Sequence, residues 1–258
     1  MNLGIAGRKA IVCASSRGLG KACARALAEA GCDVVINGRD AKRLQAAASE
    51  LSTAGAKVIP VVADVATAEG QKALLAACPQ PDILINNNAG PPMRDFRELT
   101  RQQMLDGVVA NMVVAIELIQ KVIDPMCERK FGRIVNITSG SVKMPLAGLD
   151  LSSGARAGLT AFLAGVARKV AEKNVTINNI LPGAFDTDRL RSTLSKTAEQ
   201  TGKSEAEVAA ARMAGIPAKR FGNADEFGAA CAFLCSAQAG YITGQNLLID
   251  GGTFNGAF

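Results

Sequence analysis

Residues 9–40 read KAIVCASSRGLGKACARALAEAGCDVVINGRD, and this stretch decides the fold. Ala10-Ile11-Val12 is a short apolar run, and Ser15-Ser16-Arg17-Gly18-Leu19-Gly20 is a glycine turn. Ala22, Cys23, Ala26, Leu27 and Ala30 then recur at helical spacing until Gly31 stops the helix, and Val34-Val35-Ile36 returns as a buried strand. A strand, a glycine turn, a helix and a second strand within about 30 residues make one unit of a parallel α/β sheet. Glycines at such a turn let the backbone approach a pyrophosphate, and the free N–H groups and positive dipole end of the helix favour negative charge there. The stretch predicts an open parallel sheet with a dinucleotide site at its head.

Outward from it the same alternation continues. A helix over Ala41 to Ala54 ends at Gly55, and a strand over Lys57 to Ala63 leads into Asp64-Val65, with Asp64 or Thr67 placed to cap the next helix. Asp82-Ile83-Leu84-Ile85 is a fourth strand, followed by Asn86-Asn87-Asn88-Ala89-Gly90-Pro91-Pro92. From Thr100 the pattern is helical to about Arg129, and Asn111 interrupts an apolar surface of Val108, Val109, Met112 and Val113. A buried Asn needs partners. A fifth strand, Arg133 to Ile137, ends in Thr138-Ser139-Gly140-Ser141; a small-residue helix covers Ala157 to Ala171, and Val175 to Leu181 is a sixth strand. Open parallel sheets bind ligands beyond the carboxyl ends of their strands, which is where Ser139 falls.

Composition narrows the possibilities. The 258 residues suit one large α/β domain without a linker, and with 48% hydrophobic residues and no Trp the interior rests on Ala, Val, Leu and Ile. Met1 to Arg8 lacks the marks of a secretory signal, and no apolar run is long enough to cross a bilayer. Seven cysteines scattered through predicted strands and helices suit a reducing cytoplasm rather than a disulfide framework. Cys231 and Cys235 lie one helical turn apart, but the chain has no His and no C-x-x-C pair, so no metal is expected. The formal charge is +6 and the pI about 9.0. Its basic residues are dispersed and only nine Phe and one Tyr could stack on bases, so an anionic small molecule is expected and nucleic acid is not.

Cys13-Ala14-Ser15-Ser16-Arg17-Gly18-Leu19-Gly20 resembles the T-G-x-x-x-G-x-G turn of the short-chain dehydrogenase/reductase family, with Cys13 in place of its threonine and Ala14 in place of its first glycine. An added methyl group at Ala14 could narrow the space beside the adenosine or forbid a backbone conformation that only glycine takes easily. Asp64-Val65 resembles the family's acidic residue and aliphatic group at the adenine edge, and Asn86 to Gly90 is similar to its N-N-A-G segment, Asn86 and Asn87 pairing without a gap. Asn111 stands where a family asparagine holds a water of the proton relay, and Ser139 aligns with the serine that hydrogen-bonds the reacting oxygen. Pro182-Gly183-Ala184-Phe185-Asp186-Thr187 matches P-G-x-x-x-T, whose Pro182, Gly183 and Thr187 equivalents meet the nicotinamide carboxamide. The resemblance covers essentially the whole chain. It implies a Rossmann-type doubly wound α/β fold, a mainly parallel seven-stranded sheet with helices on both faces. It also implies a single oxidoreductase domain over residues 1–258, a substrate lid at about 188–217, and a homotetramer or homodimer. Within the lid, Phe185, Leu190 and Met213 could line an apolar pocket, and Arg189 and Arg191 could meet an acidic group.

The second strand ends in Asn37-Gly38-Arg39-Asp40, and Gly38 stands where an acidic residue would repel a 2′-phosphate. Arg17 and Arg39 could converge on such a phosphate; a charge-assisted hydrogen bond contributes about 1.5 to 3 kcal/mol, a preference of about tenfold or more for NADP(H). The turn residues Ser15, Ser16, Arg17, Gly18, Leu19 and Gly20, with Arg39, Asp64, Val65 and Asn87, complete the expected cofactor set. The family's Y-x-x-x-K motif should begin 13 residues after Ser139, but positions 152 to 156 read Ser152-Ser153-Gly154-Ala155-Arg156. A serine hydroxyl is a far weaker acid than a tyrosine activated by lysine, and arginine stays charged. Arg156 can anchor ribose hydroxyls and supply a positive field, and Ser139, Ser152 and Arg156, with Asn111, are the catalytic candidates. Loss of a general acid costs about 10² to 10⁴ in rate. Two functions follow: an NADP(H)-dependent oxidoreductase acting on a small carbonyl or alcohol substrate, or a catalytically inactive NADP(H)-binding sensor or assembly protein.

Overall fold

The computed structural model describes residues 2–52 and 56–256. In chain order its main elements are β1 (Lys9–Val12), α1 (Gly18–Glu29), β2 (Asp33–Gly38), α2 (Ala41–Leu51), β3 (Val58–Val62), α3 (Ala68–Ala77), β4 (Ile83–Asn86), α4 (Arg101–Val108), α5 (Val114–Glu128), β5 (Gly132–Ile137), α6 (Asp150–Val170), β6 (Val175–Pro182), α7 (Asp188–Thr201), α8 (Glu205–Ala214), α9 (Ala224–Leu234) and β7 (Asn246–Ile249). The strands form one sheet in the order β3-β2-β1-β4-β5-β6-β7, every neighbouring pair parallel. This is the Rossmann-type doubly wound fold. Strand order reverses between β1 and β4, which opens a crevice at the carboxyl end of the sheet.

Alternation along the strands separates two cores. Ala10, Val12, Val34, Ile36, Ile83 and Ile85 face α1, α2 and α9. Ile11, Val35, Leu84, Ile134 and Ile177 face α3, α5 and α6. Both faces are buried, hence the near-continuous apolar runs of the sequence.

Several boundaries differ from the sequence reading. The helix expected at Ala157 begins at Asp150, so Ser152 and Arg156 lie on its first turns, where Asp150 favours the positive dipole end. Asn111 sits in a π-helical turn, Val109–Val113, that divides the long helix expected from Thr100 into α4 and α5. Thr67, not Asp64, caps α3 by accepting the Gly70 N–H at 3.0 Å. The edge strand β7 is short, Asn246–Ile249. Ala54 and Gly55, the expected end of the second helix, lie outside the described residues. Among the described residues no helix is long and apolar enough to cross a membrane.

At the opposite end of the sheet from the crevice, Arg133 is buried at the start of β5. It donates to the carbonyls of Ser236 (3.0 Å) and Asn174 (2.8 Å) and to Asn174 Oδ1 (3.1 Å), with its guanidinium 4.4 Å from the Phe131 ring centre. Asn174 itself turns through the left-handed region, φ 55°. Tyr241 belongs to this end too: its neighbour Gly240 borders Arg133 and Asn174, and the phenol is fully exposed. It cannot replace the missing tyrosine.

Candidate active site

The loops after β1, β4, β5 and β6 wall one crevice. After β1, Ala14 takes φ 45°, the left-handed conformation that suits glycine, at a cost of about 1–2 kcal/mol. Its N–H donates to Asn37 Oδ1 (3.2 Å) and its carbonyl accepts from Asn87 Nδ2 (3.2 Å). A Cβ at Gly20 would lie 2.5 Å from the Ala14 oxygen and 2.9 Å from Asn87 Nδ2. Only glycine lets α1 start so close to β1 and β4. A Cβ at Gly18, φ 55°, would lie 3.8 Å from the Thr187 methyl group, so the turn and the loop after β6 face each other across a narrow gap. Pro182 ends β6, and Gly183 is fixed by its N–H to Ile249 O, 2.8 Å.

The first turn of α1 is open. Arg17 at its N-cap provides no side-chain acceptor and no acidic residue follows. By contrast Asp40, Thr67, Thr100, Thr187, Ser204 and Asn223 cap α2, α3, α4, α7, α8 and α9. The free N–H groups at the head of α1 are a donor set that fits a pyrophosphate.

Two cofactor expectations are corrected. Ser15 does not face the crevice: it is fully buried, its hydroxyl donates to Val12 O (2.6 Å) and accepts from Asn37 N–H (3.0 Å), and so it pins β1 to β2. Arg17 and Arg39 do not converge here. Arg17 leans on Asp188 beyond β6 and Arg39 on Asp64 beyond β3, each at 3.6 Å, toward opposite ends of the strand order. Such exposed ion pairs contribute little and exchange readily. Ser16 packs beside Gly38, where a Cβ would touch it at 3.0 Å, Leu19 rests on the α1-side core, and Val65 is buried.

Asn86, Asn136, Asn179 and Asn246 are register partners across β4, β5, β6 and β7. The Asn86 amide donates to Asn136 Oδ1 (2.9 Å), the Asn136 amide to Asn179 Oδ1 (3.0 Å) and the Asn179 amide to Asn246 Oδ1 (2.8 Å). Each residue of the asparagine triplet thus has its own place: Asn86 in the row, Asn87 on the Ala14 carbonyl, and Asn88 Nδ2 on Ala110 O (3.1 Å) in the π-turn. The row escapes a sequence reading that takes strands singly, though its signal is there, an Asn near the carboxyl end of one apolar strand after another.

Above the row is a cavity of about 20 Å³ bordered by Asn86, Asn111, Asn136, Ile137 and Arg156. That is room for a water molecule. Asn111 donates to Gly107 O (3.2 Å), and the Oδ1 atoms of Asn86 and Asn111 have no partner among the described residues. Arg156 is buried; it donates through Nε to Ser152 Oγ (3.3 Å) and through Nη1 to Ile137 O (2.7 Å). Burial first, and the charge of Arg189 second, pull its pKa down to about 10, so it remains a cation at neutral pH. Ser152 is buried under it. Ser139 Oγ accepts the Ser141 N–H at 3.1 Å, which leaves its own proton free to be donated. Burial pushes the Cys13 thiol up to about 12, so it is inert. Phe185 is buried in the core, edge-on to Phe227 at 5.3 Å, and borders a hollow with Ala218, Gly222 and Ile249, which Leu190 and Met213 do not line.

The chain matches the family described as enoyl-(acyl carrier protein) reductase over residues 13–253. It is 31% identical to the NADPH-dependent reductase BacG of Bacillus subtilis over 256 residues, 95% of this chain and 97% of that protein. It is also 31% identical to the 3-oxoacyl-(acyl-carrier-protein) reductase FabG of Escherichia coli over 249 residues, 96% of this chain and 98% of that protein. The crystal structure of L-sorbose reductase from Gluconobacter frateurii, complexed with NADPH and L-sorbose, matches with a TM-score of 0.94 at 28% identity, over 99% of this chain and 100% of that one.

Proposed function

Because this chain belongs to the short-chain dehydrogenase/reductase family, we propose that it is an NADP(H)-dependent oxidoreductase transferring hydride to or from a carbonyl or alcohol substrate. The observation that carries this reading is the open head of α1 facing Thr187 across the glycine turn. The N–H groups of Gly18, Leu19 and Gly20 hold the pyrophosphate, Asp64 and Val65 border the adenine, and Arg39 swings from Asp64 to the 2′-phosphate. Pro182, Gly183 and Thr187 receive the nicotinamide carboxamide. Bound NADPH supplies the hydride. Ser139 donates a hydrogen bond to the reacting oxygen, Arg156 adds a fixed positive charge, and a water held through one hydrogen by the unpartnered oxygen of Asn111 gives its other proton to that oxygen and regains one from solvent. Helices α7 and α8 form the substrate lid. The chain works in the cytoplasm as a homodimer or homotetramer.

A second reading, binding without turnover, draws on Ser152: it is buried, its oxygen occupied by Arg156, and it offers no acid where the family has tyrosine. Calorimetric titration tests the first reading. NADPH is expected to bind at least about tenfold more tightly than NADH, and Arg39→Ala to remove most of that preference. Binding of neither nucleotide overturns the proposal. NADPH binding without oxidation by any ketone or aldehyde supports the second reading.

A further inference from the structure

At the head of the lid three arginines, Arg17, Arg189 and Arg191, meet two aspartates, Asp186 and Asp188, so the charges do not cancel. Arg191 is clamped on Asp186 at 3.0 and 3.2 Å, and Arg17 leans on Asp188. Arg189 between them forms no ion pair among the described residues. Its guanidinium lies over Gly90, where a Cβ would meet both terminal nitrogens at 3.0 Å, on the loop that leaves the switch point. It is also near enough to Arg156 to oppose that cation's charge. Arg156 is buried, and its Nη2 has no hydrogen-bond partner among the described residues while its other nitrogens are committed inward. Two guanidinium groups without a carboxylate between them, one buried and one exposed at the mouth of the same cleft, form a site for an anion.

We propose that the substrate of this enzyme is an oxo acid, its carboxylate received by Arg189 with the positive field of Arg156 behind it. The inference rests on the reductase reading given above. A planar carboxylate accepts two parallel N–H bonds from one guanidinium, a geometry that a neutral ester cannot match. Gly90 serves the site by leaving the guanidinium room to lie flat.

The test uses the whole protein with NADPH and two pairs of compounds, acetoacetate and 4-oxopentanoate against their methyl esters. The acids are expected to exceed the esters in kcat/KM by about 10- to 100-fold. Arg189→Gln should collapse that ratio through KM, with NADPH affinity, read by calorimetry, within about twofold of the parent. Equal treatment of acid and ester, or an equal loss of NADPH affinity in the variant, overturns the proposal. If no compound is reduced, the titration of 4-oxopentanoate into the NADPH-loaded protein decides. Arg189-dependent binding keeps the anion site and sinks the reductase reading, whereas absence of binding sinks the anion site.

Discussion

Ala14 is a methyl group set where the backbone wants none. Its φ of 45° follows from the close packing beneath it, since its N–H and carbonyl are both tied to asparagines of neighbouring strands. Ala14→Gly should relieve about 1–2 kcal/mol of strain and return about 0.5–1 in unfolded-chain entropy. A net gain of about 0.5–1 kcal/mol in urea unfolding is expected, and a loss would contradict the strain account. The departure was legible in the sequence because the turn around it is so regular. The inward rotation of Ser15 was not, because a hydroxyl in a glycine turn looks the same whether it meets a ligand or, as here, the main chain of two strands.

Elements were read well where the signal is local. The strand, turn and helix from Lys9 to Gly38 follow from apolar spacing and glycine placement. The early start of α6 and the π-turn at Asn111 were missed for a common reason: both are set by contacts from elsewhere, Arg156 reaching Ile137 and Asn88 holding Ala110. Arg133 is another such case, a charged residue that the sequence shows only as the start of the fifth strand. It satisfies carbonyls of the α9–β7 connection and of the turn before β6, and burial lowers its pKa. An orphaned buried acceptor costs about 1–3 kcal/mol, so Arg133→Leu should destabilise by about 3 kcal/mol or more in urea denaturation. A loss below about 1 kcal/mol, the scale of an average substitution, would mean that water replaces the guanidinium without penalty.

For the molecule as a whole, sheet order was legible because each β-α-β unit repeats the rule of the one before. The proposed assembly concerns the surface instead. Leu105 on α4, Val109 in the π-turn and Phe162 on α6 are exposed apolar side chains on helices that pack together, and Leu247 is exposed on the edge strand β7. The parent protein should sediment as a dimer or tetramer, and Leu105→Asp combined with Phe162→Asp should lower its assembly state; a monomeric parent would leave these residues without that explanation.

The asparagine row between that edge and the cleft has a direction. Its three amide-to-amide bonds all run toward β7, from Asn86 to Asn136, to Asn179, to Asn246, so the four dipoles point one way. Main-chain carbonyls fix that direction, since the Asn86 amide also donates to Ala115 O (3.5 Å) and the Asn136 amide to Asn178 O (3.3 Å). The row shows an acceptor, Asn86 Oδ1, to the cavity and leaves amide hydrogens at exposed Asn246. The polarity at the cleft is therefore built into the backbone of β6 and α5, and the cavity meets a hydrogen-bond acceptor whatever docks on the β7 edge.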